Sequence, residues 1–267
     1  MTPFDEETAK FALSQLLRSC GTMEQLLEGL NDSKGSVAAE VHAIRKLGKS
    51  LRGGFALFRL EKTSAREIQA VGRLLADSRD AVSRLSTWEK MSFENDDSIH
   101  PPIAELLNQQ VHSAAQRPPA EAVAWCIDRV IIAKKNLESL TAEETLAERL
   151  ALGLKKLNNR IIKRCRDLNH GGEEEFHDAR KALKAYIGAL GFLPENSCAL
   201  DPRMIELAER LGDENDLATL SSWLEQHGFT ERFAPALWEE IGKSRSKLRK
   251  SAMRDAKKIL TPPKEEP

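Results

Sequence analysis

Apolar residues in this chain recur at three- and four-residue intervals almost from end to end, and no stretch alternates in the β-branched manner that a sheet strand needs. That periodicity predicts an all-α protein. Start signals punctuate it: Thr2-Pro3, capping-box patterns at Thr22-x-x-Gln25, Ser64-x-x-Glu67 and Thr141-x-x-Glu144, and Asp201-Pro202 with proline at the first helical position. Stops fall at Asn31 to Gly35, Pro101-Pro102, Pro118-Pro119, Asn169 to Gly172 and Leu193 to Asn196. The spacing predicts helices over about 3–29, 36–60, 65–92, 102–116, 120–140, 142–169, 173–192, 202–227 and 231–260, then a tail over 261–267, with the main break at Gly171-Gly172.

Within this helical pattern one motif occurs twice. His42-Ala43-Ile44-Arg45-Lys46-Leu47-Gly48-Lys49, continuing to Arg52, returns 135 positions later as His177-Asp178-Ala179-Arg180-Lys181-Ala182-Leu183-Lys184. In each copy a histidine is followed by cations three, four and seven residues on, offsets that share one helix face. Like charges stacked this way destabilise a helix unless something anionic meets them. A second pair has nearly the same offset: Leu75 to Asp80 matches Leu211 to Asp216, 136 positions apart. A third element also comes in two versions, one face carrying Lys156, Arg160, Lys163 and Arg164 and another carrying Lys243, Lys247, Lys250 and Arg254. A unit of this length repeated once is a domain duplication rather than a solenoid. Asp80 and Asp216 are expected to support the stripes by pairing with a cation or histidine of their own copy.

Composition narrows the partners. The 267 residues and 41% hydrophobic content suffice for a sizeable core, and the net charge of −1 conceals segregation: Lys155 to Arg166 holds six cations and no acid, with Glu173, Glu174 and Glu175 close by. Cys20, Cys126, Cys165 and Cys198 lie far apart without a C-x-x-C pair and read as buried thiols in a reducing compartment. Trp88, Trp125, Trp223 and Trp238 sit among apolar residues and are expected in the core, while His100, His112, His170 and His227 carry no pattern. With no apolar run long enough for a leader or a membrane span, the expected location is cytoplasmic.

The histidine-led basic helix, present twice and each time followed by an L-G-x-x-x-D element, resembles the CHAD family, the conserved histidine α-helical domains, over about residues 36 to 258. The points of likeness are His42-x-x-Arg45 with Lys49 and Arg52, His177-x-x-Arg180 with Lys184, and Leu211-Gly212-x-x-Asn215-Asp216. The chain departs from the family pattern at Ser50 and Ala185, where a further cation is usual, at Ile187, where the second copy commonly has arginine, and at Leu75-Ala76 in place of Leu-Gly. The resemblance implies duplicated helical bundles related by a pseudo-twofold axis: residues 1–35 an N-terminal helical extension, 36–170 a first half longer by about two helices, 171–260 the second half and 261–267 the tail. It further implies non-enzymatic binding of inorganic polyphosphate on a basic central surface, in a stand-alone domain without cofactor or metal. The binding set would be His42, Arg45, Lys46, Lys49, Arg52, Lys156, Arg160, Lys163, Arg164, His177, Arg180, Lys181, Lys184, Lys243, Lys247, Lys250 and Arg254.

Polyphosphate carries roughly one negative charge per internal phosphate, so its binding shares the physics of a nucleic-acid backbone, with counterion release and steep salt dependence. Guanidinium groups bridge two phosphate oxygens, whereas lysines act as mobile point charges. His42, next to Arg45 and Lys46, is discouraged from protonating until a polyanion arrives, so affinity is expected to rise as pH falls from about 8 to about 6. Two other classes compete. A metal-dependent phosphohydrolase would use His42, His177 and carboxylates, but the one adjacent pair, His177-Asp178, points about 100° apart on a helix, and no glycine-rich phosphate cradle is present. Nucleic acid suits the charge, but Tyr186 is the main aromatic among the stripe cations, which disfavours sequence-specific reading. The longer first half is expected to dock a protein partner over residues 102–140, and polyphosphate granules are a place where such a protein can associate.

Overall fold

The computed structural model describes residues 4–32, 36–91, 100–114, 116–142, 145–195 and 197–261. Among the described residues the chain forms ten α-helices and no strand: α1 (Glu6–Asp32), α2 (Val37–Leu57), α3 (Ser64–Leu74), α4 (Ala76–Glu89), α5 (His100–Ala114), α6 (Ala120–Glu138), α7 (Leu146–Asp167), α8 (Glu173–Leu190), α9 (Pro202–Gln226) and α10 (Pro235–Leu260). The all-α reading holds, and most ends obey local chemistry. Proline opens α9 and α10, and Gly171, at φ +71°, caps the 3-10 turn Leu168–His170 that follows α7.

Local patterns misled at several positions. Thr22 does not start a helix; its hydroxyl donates to the Arg18 carbonyl at 3.2 Å inside α1. Ser64 and Glu67 stand at the start of α3 without capping it: the Ser64 hydroxyl donates to the Ala133 carbonyl at 3.1 Å and Glu67 meets Arg129 at 3.3 Å, so both tie α3 to α6. Thr141 donates to the Glu138 carbonyl at 2.7 Å within a 3-10 turn, while Glu144, Thr2-Pro3, residues 33–35 and the tail beyond 261 lie outside the described residues. The helix expected over 65–92 breaks at Leu75 (φ −95°, ψ 19°), where the chain passes from one contact unit to the other; apolar spacing continues across the break and conceals it. Trp125 is not core. It stands about 100° around α6 from the buried Val123, Cys126, Val130, Ala133 and Leu137 face, and Arg129 covers its ring at 5.0 Å. Cys20, Cys126 and Cys165 are buried, but Cys198 is only half-buried.

Contacts divide the chain into two units, each discontinuous in sequence. The first comprises residues 1–76, 116–163 and 181–201, the second residues 77–115, 164–180 and 202–267. Gly171-Gly172 therefore separates two helices inside the second unit, and α1, which the sequence set apart as an extension, belongs to the first. Ala9, Leu13, Leu16, Cys20, Met23, Leu27 and Leu30 bury one face of α1, which packs on α2 and α6.

In the first unit α2 and the C-terminal half of α8 cross at backbone contact. A Cβ on Gly188 would stand 3.0 Å from the Ser50 Cα, and one on Gly53 would meet the Ala185 carbonyl oxygen and stand 2.8 Å from the Ala189 nitrogen. Ser50 and Ala185, the positions that lack the usual cation, stand at this crossing, where short side chains let the helices approach. The second unit gathers Trp88, Ile103, Leu107, Leu220, Trp223, Leu224, Ala234, Leu237 and Ile241 into one cluster, with Trp238 packed half-buried against it. Two buried carboxylates lock α9 to α10 there. Glu214, 2% exposed, accepts from Arg245 at 2.9 Å and Arg249 at 2.8 Å, and Asp255 meets Arg210 at 2.6 Å and Lys258 at 3.1 Å. No described helix is long and apolar enough to cross a membrane.

Candidate functional site

The first basic stripe lies along a groove between α2 and α3. Its volume is about 190 Å³, and its walls are Arg45, Lys49 and Arg52 from α2 and Gln69 and Arg73 from α3, over a floor of Met23, Ile44 and Ile68. Helical spacing places Arg45, Lys49 and Arg52 on one wall, and Gly48 and Gly72 keep the groove open between them. Arg45 is oriented by a hydrogen bond donated from its Nη1 to the Gly72 carbonyl at 2.6 Å. His42 and Lys46 are exposed on the same helix.

Electrostatically the groove is crowded with one sign. The Arg52 guanidinium is half-buried, and its pKa is lowered, first by burial and then by the charges of Arg160, Arg45 and Arg73. Arg52 therefore has like-charged neighbours on α2, α3 and α7. Arg73 is absent from the sequence-derived set because α3 carries neither the histidine nor a repeat; the available signal was Arg66 and Arg73 one heptad apart, the second directly after Gly72.

The stripe on α7 divides. Arg160 and Lys163 are exposed, whereas Lys156 pairs with Glu61 at 2.7 Å. Arg164 meets Asp178 at 2.7 Å and Asp167 at 3.1 Å, so it joins α7 to α8 and its charge is largely compensated. On α8, His177, Lys181 and Lys184 are exposed and Arg180 is half-buried. His177 Nδ1 lies 2.9 Å from Asn215 Oδ1. With Nδ1 donating to that amide oxygen, Nε2 is the ring atom left to meet a ligand.

The residue that holds His177 is therefore Asn215, not its neighbour Asp216. Asp216 lines a separate groove of the second unit, about 480 Å³, with Asp213, Glu240, Lys90, Arg210 and Lys247. Asp80 is half-buried on α4. On α10 the cations sort by face: Arg245 and Arg249 turn to Glu214, and Arg249 lies 5.1 Å from the Phe176 ring centroid. Lys243, Lys247, Lys250 and Arg254 share the exposed face along a shallow depression with Gly242, Ser246 and Ser251. Of these, Lys243 pairs with Glu239 at 2.6 Å and Arg254 donates to the Ser251 hydroxyl at 3.1 Å. Among the described residues no three His, Cys, Asp or Glu side chains converge in a way that would hold a metal ion.

Comparison with known proteins places these features in a family. The model of the CHAD domain matches residues 21–225, which takes in α2 to α9 and leaves α10 outside. The crystal structure of the CHAD domain from the plant Ricinus communis is similar at a TM-score of 0.64 and 16% identity, covering 95% of this chain and 92% of that one. PptA from Streptomyces chartreusis is similar at a TM-score of 0.58 and 14% identity, covering 95% of this chain and 97% of that one. No curated protein matches the sequence.

Proposed function

Since the chain belongs to the CHAD family, we propose that it binds inorganic polyphosphate without chemical turnover, with the α2–α3 groove as the primary contact. The observation that carries this reading is the lining of that groove, where Arg45, Lys49 and Arg52 of α2 stand beside Arg73 of α3. Such a line of cations suits an anion with several closely spaced charges. Orthophosphate offers too few charges for this, whereas a linear polyanion can contact Arg45, Lys49, Arg52 and Arg73 in sequence and run on to Arg160 and Lys163. Within the second unit, His177, fixed by Asn215, and the exposed Lys247 and Lys250 of α10 are that unit's own contacts in this reading. The cytoplasm is the proposed location.

The test is calorimetric titration with long-chain polyphosphate, using duplex DNA and heparin as competitors, on the wild type and on a Lys49→Glu, Arg73→Glu variant. Tight binding of polyphosphate, lost in the variant and weakening steeply with salt, is the expected result. Equal binding of all three polyanions would reduce the site to a generic basic face. Release of orthophosphate on incubation with a divalent cation would replace the binding reading with hydrolysis.

A further inference from the structure

Glycine within a helix is less stable than alanine there, so its presence asks for a reason. At Gly48 the reason is packing, since a Cβ would stand 3.3 Å from Ile68 Cγ2 and 3.5 Å from Met23 Cε. Gly72 has no such reason. A Cβ on it would meet nothing within 4 Å, its backbone is not left-handed, and it stands three residues before Leu75, the C-cap of α3, so it is not the helix stop. Open space alone decides nothing, because Gly29 in the last turn of α1 has it too. The setting of Gly72 is what differs. It lines the α2–α3 groove directly beside Arg73, its carbonyl accepts from Arg45 at 2.6 Å, and Lys49, Arg52 and Gln69 line the same groove. A Cβ at this position would stand over the groove without touching Arg45.

We infer that Gly72 is a ligand-contact position that sets selectivity: the polyanion lies against its bare Cα, beside the guanidiniums of Arg45 and Arg73, and the missing side chain is what admits it. This rests on the groove being the polyphosphate site. A condensed phosphate chain carries nothing but oxygen on its phosphorus atoms, so it can approach a bare Cα to van der Waals contact. In nucleic acid or heparin the charged groups are carried on or between sugars, which hold the chain away from a groove of about 190 Å³. At close approach the Cα hydrogens of Gly72 add weak contacts to phosphate oxygens. Arg45, fixed on the Gly72 carbonyl, is held beside the same spot, so its charge-assisted bonds to phosphate need little further ordering. Glycine at this position therefore serves the ligand at a small cost to the helix.

Melting temperature of the free protein and calorimetric affinity for long-chain polyphosphate, with heparin as the comparison, test the assignment. Gly72→Ala should raise the melting temperature by about 1 to 3 °C while weakening polyphosphate binding about tenfold. Gly72→Leu should weaken it about a hundredfold and leave the weaker binding of heparin unchanged. Gly29→Ala, the same exchange in another last turn with open space, should raise the melting temperature alike and leave polyphosphate affinity at the wild-type value. Stability and affinity moving in opposite directions is a result that a glycine required only by the fold does not give. A Gly72→Ala protein that melts below the wild type, a Gly72→Leu protein that binds polyphosphate like the wild type, or an equal loss for heparin would each overturn the inference. In those cases loss of binding in the Lys49→Glu, Arg73→Glu variant keeps the groove as the polyphosphate site, whereas binding that ignores this variant as well removes the site and the inference together.

Discussion

Removing the charge of Arg52 should make the free protein more stable and the liganded protein less so. Arg52→Gln keeps most of the stem and the polar head while deleting the charge that burial, Arg160, Arg45 and Arg73 all disfavour. The sign is unambiguous: a basic group whose pKa is lowered by folding costs the fold wherever it is charged, which includes all neutral pH. For its size, take a separation of about 10 Å, the helical rise from Arg45 to Arg52; one like-charge contact then costs about 0.4 kcal/mol in water and about 1.7 kcal/mol at an effective dielectric of 20. Three neighbours of a half-exposed group, discounted for solvent screening, total roughly 2 kcal/mol. The expected gain in the melting temperature of the free protein is about 4 to 8 °C at low salt. The Coulombic part of the gain should shrink in about 0.5 M salt, while the part that comes from burial should remain. With saturating polyphosphate the order should reverse, since the wild type gains more from the ligand. Thermal melts of both proteins, with and without polyphosphate and at two salt concentrations, check each step. A variant less stable than the wild type when free, or a gain that salt does not reduce at all, would refute the reasoning.

The buried thiols give a second expectation. Burial pushes Cys20 up to about 12 and Cys126 and Cys165 up to about 11, from an ordinary value of 9.0, so in the native protein at pH 8 only Cys198 should react with a thiol reagent, and all four should react in denaturant. These acids have folded pKa values above their unfolded ones, so their contribution is intact below pH 9.0 and is lost as pH rises through 11 to 12, which an alkaline denaturation series would record. Glu214→Ala strands Arg245 and Arg249 without their shared carboxylate and should cost about 3 to 5 kcal/mol, visible as a lower urea midpoint. Gly153→Ala should cost about 3 kcal/mol or more, since its Cβ would overlap the Leu57 carbonyl and stand 2.8 Å from the Ala56 oxygen, neither of which can rotate away.

Helical periodicity alone determined the all-α class, because a 3.6-residue repeat of buried positions is a local property written into every segment, and the spacing of His42, Arg45, Lys49 and Arg52 likewise fixed that they share a face. Charge pairing across elements was not local. Lys156 and Arg164 look like members of a stripe until Glu61 and Asp178 come within reach, and the inward Arg245 and Arg249 cannot be told from the outward Lys247 and Lys250 without knowing which side of α10 meets Glu214. Capping signatures failed for the same reason: Ser64 and Glu67 have the right residues at the right spacing, but long-range partners on α6 claim their side chains. Asn215 rather than Asp216 reaches His177 because one residue turns a helix by about 100°, a choice made by how α8 and α9 pack. The sequence thus determined which residues ride together on each helix. Only the tertiary structure decided which faces meet, since an intrahelical offset carries no information about the neighbour across the groove, and that is why Arg73 joins the site without any mark in the repeat.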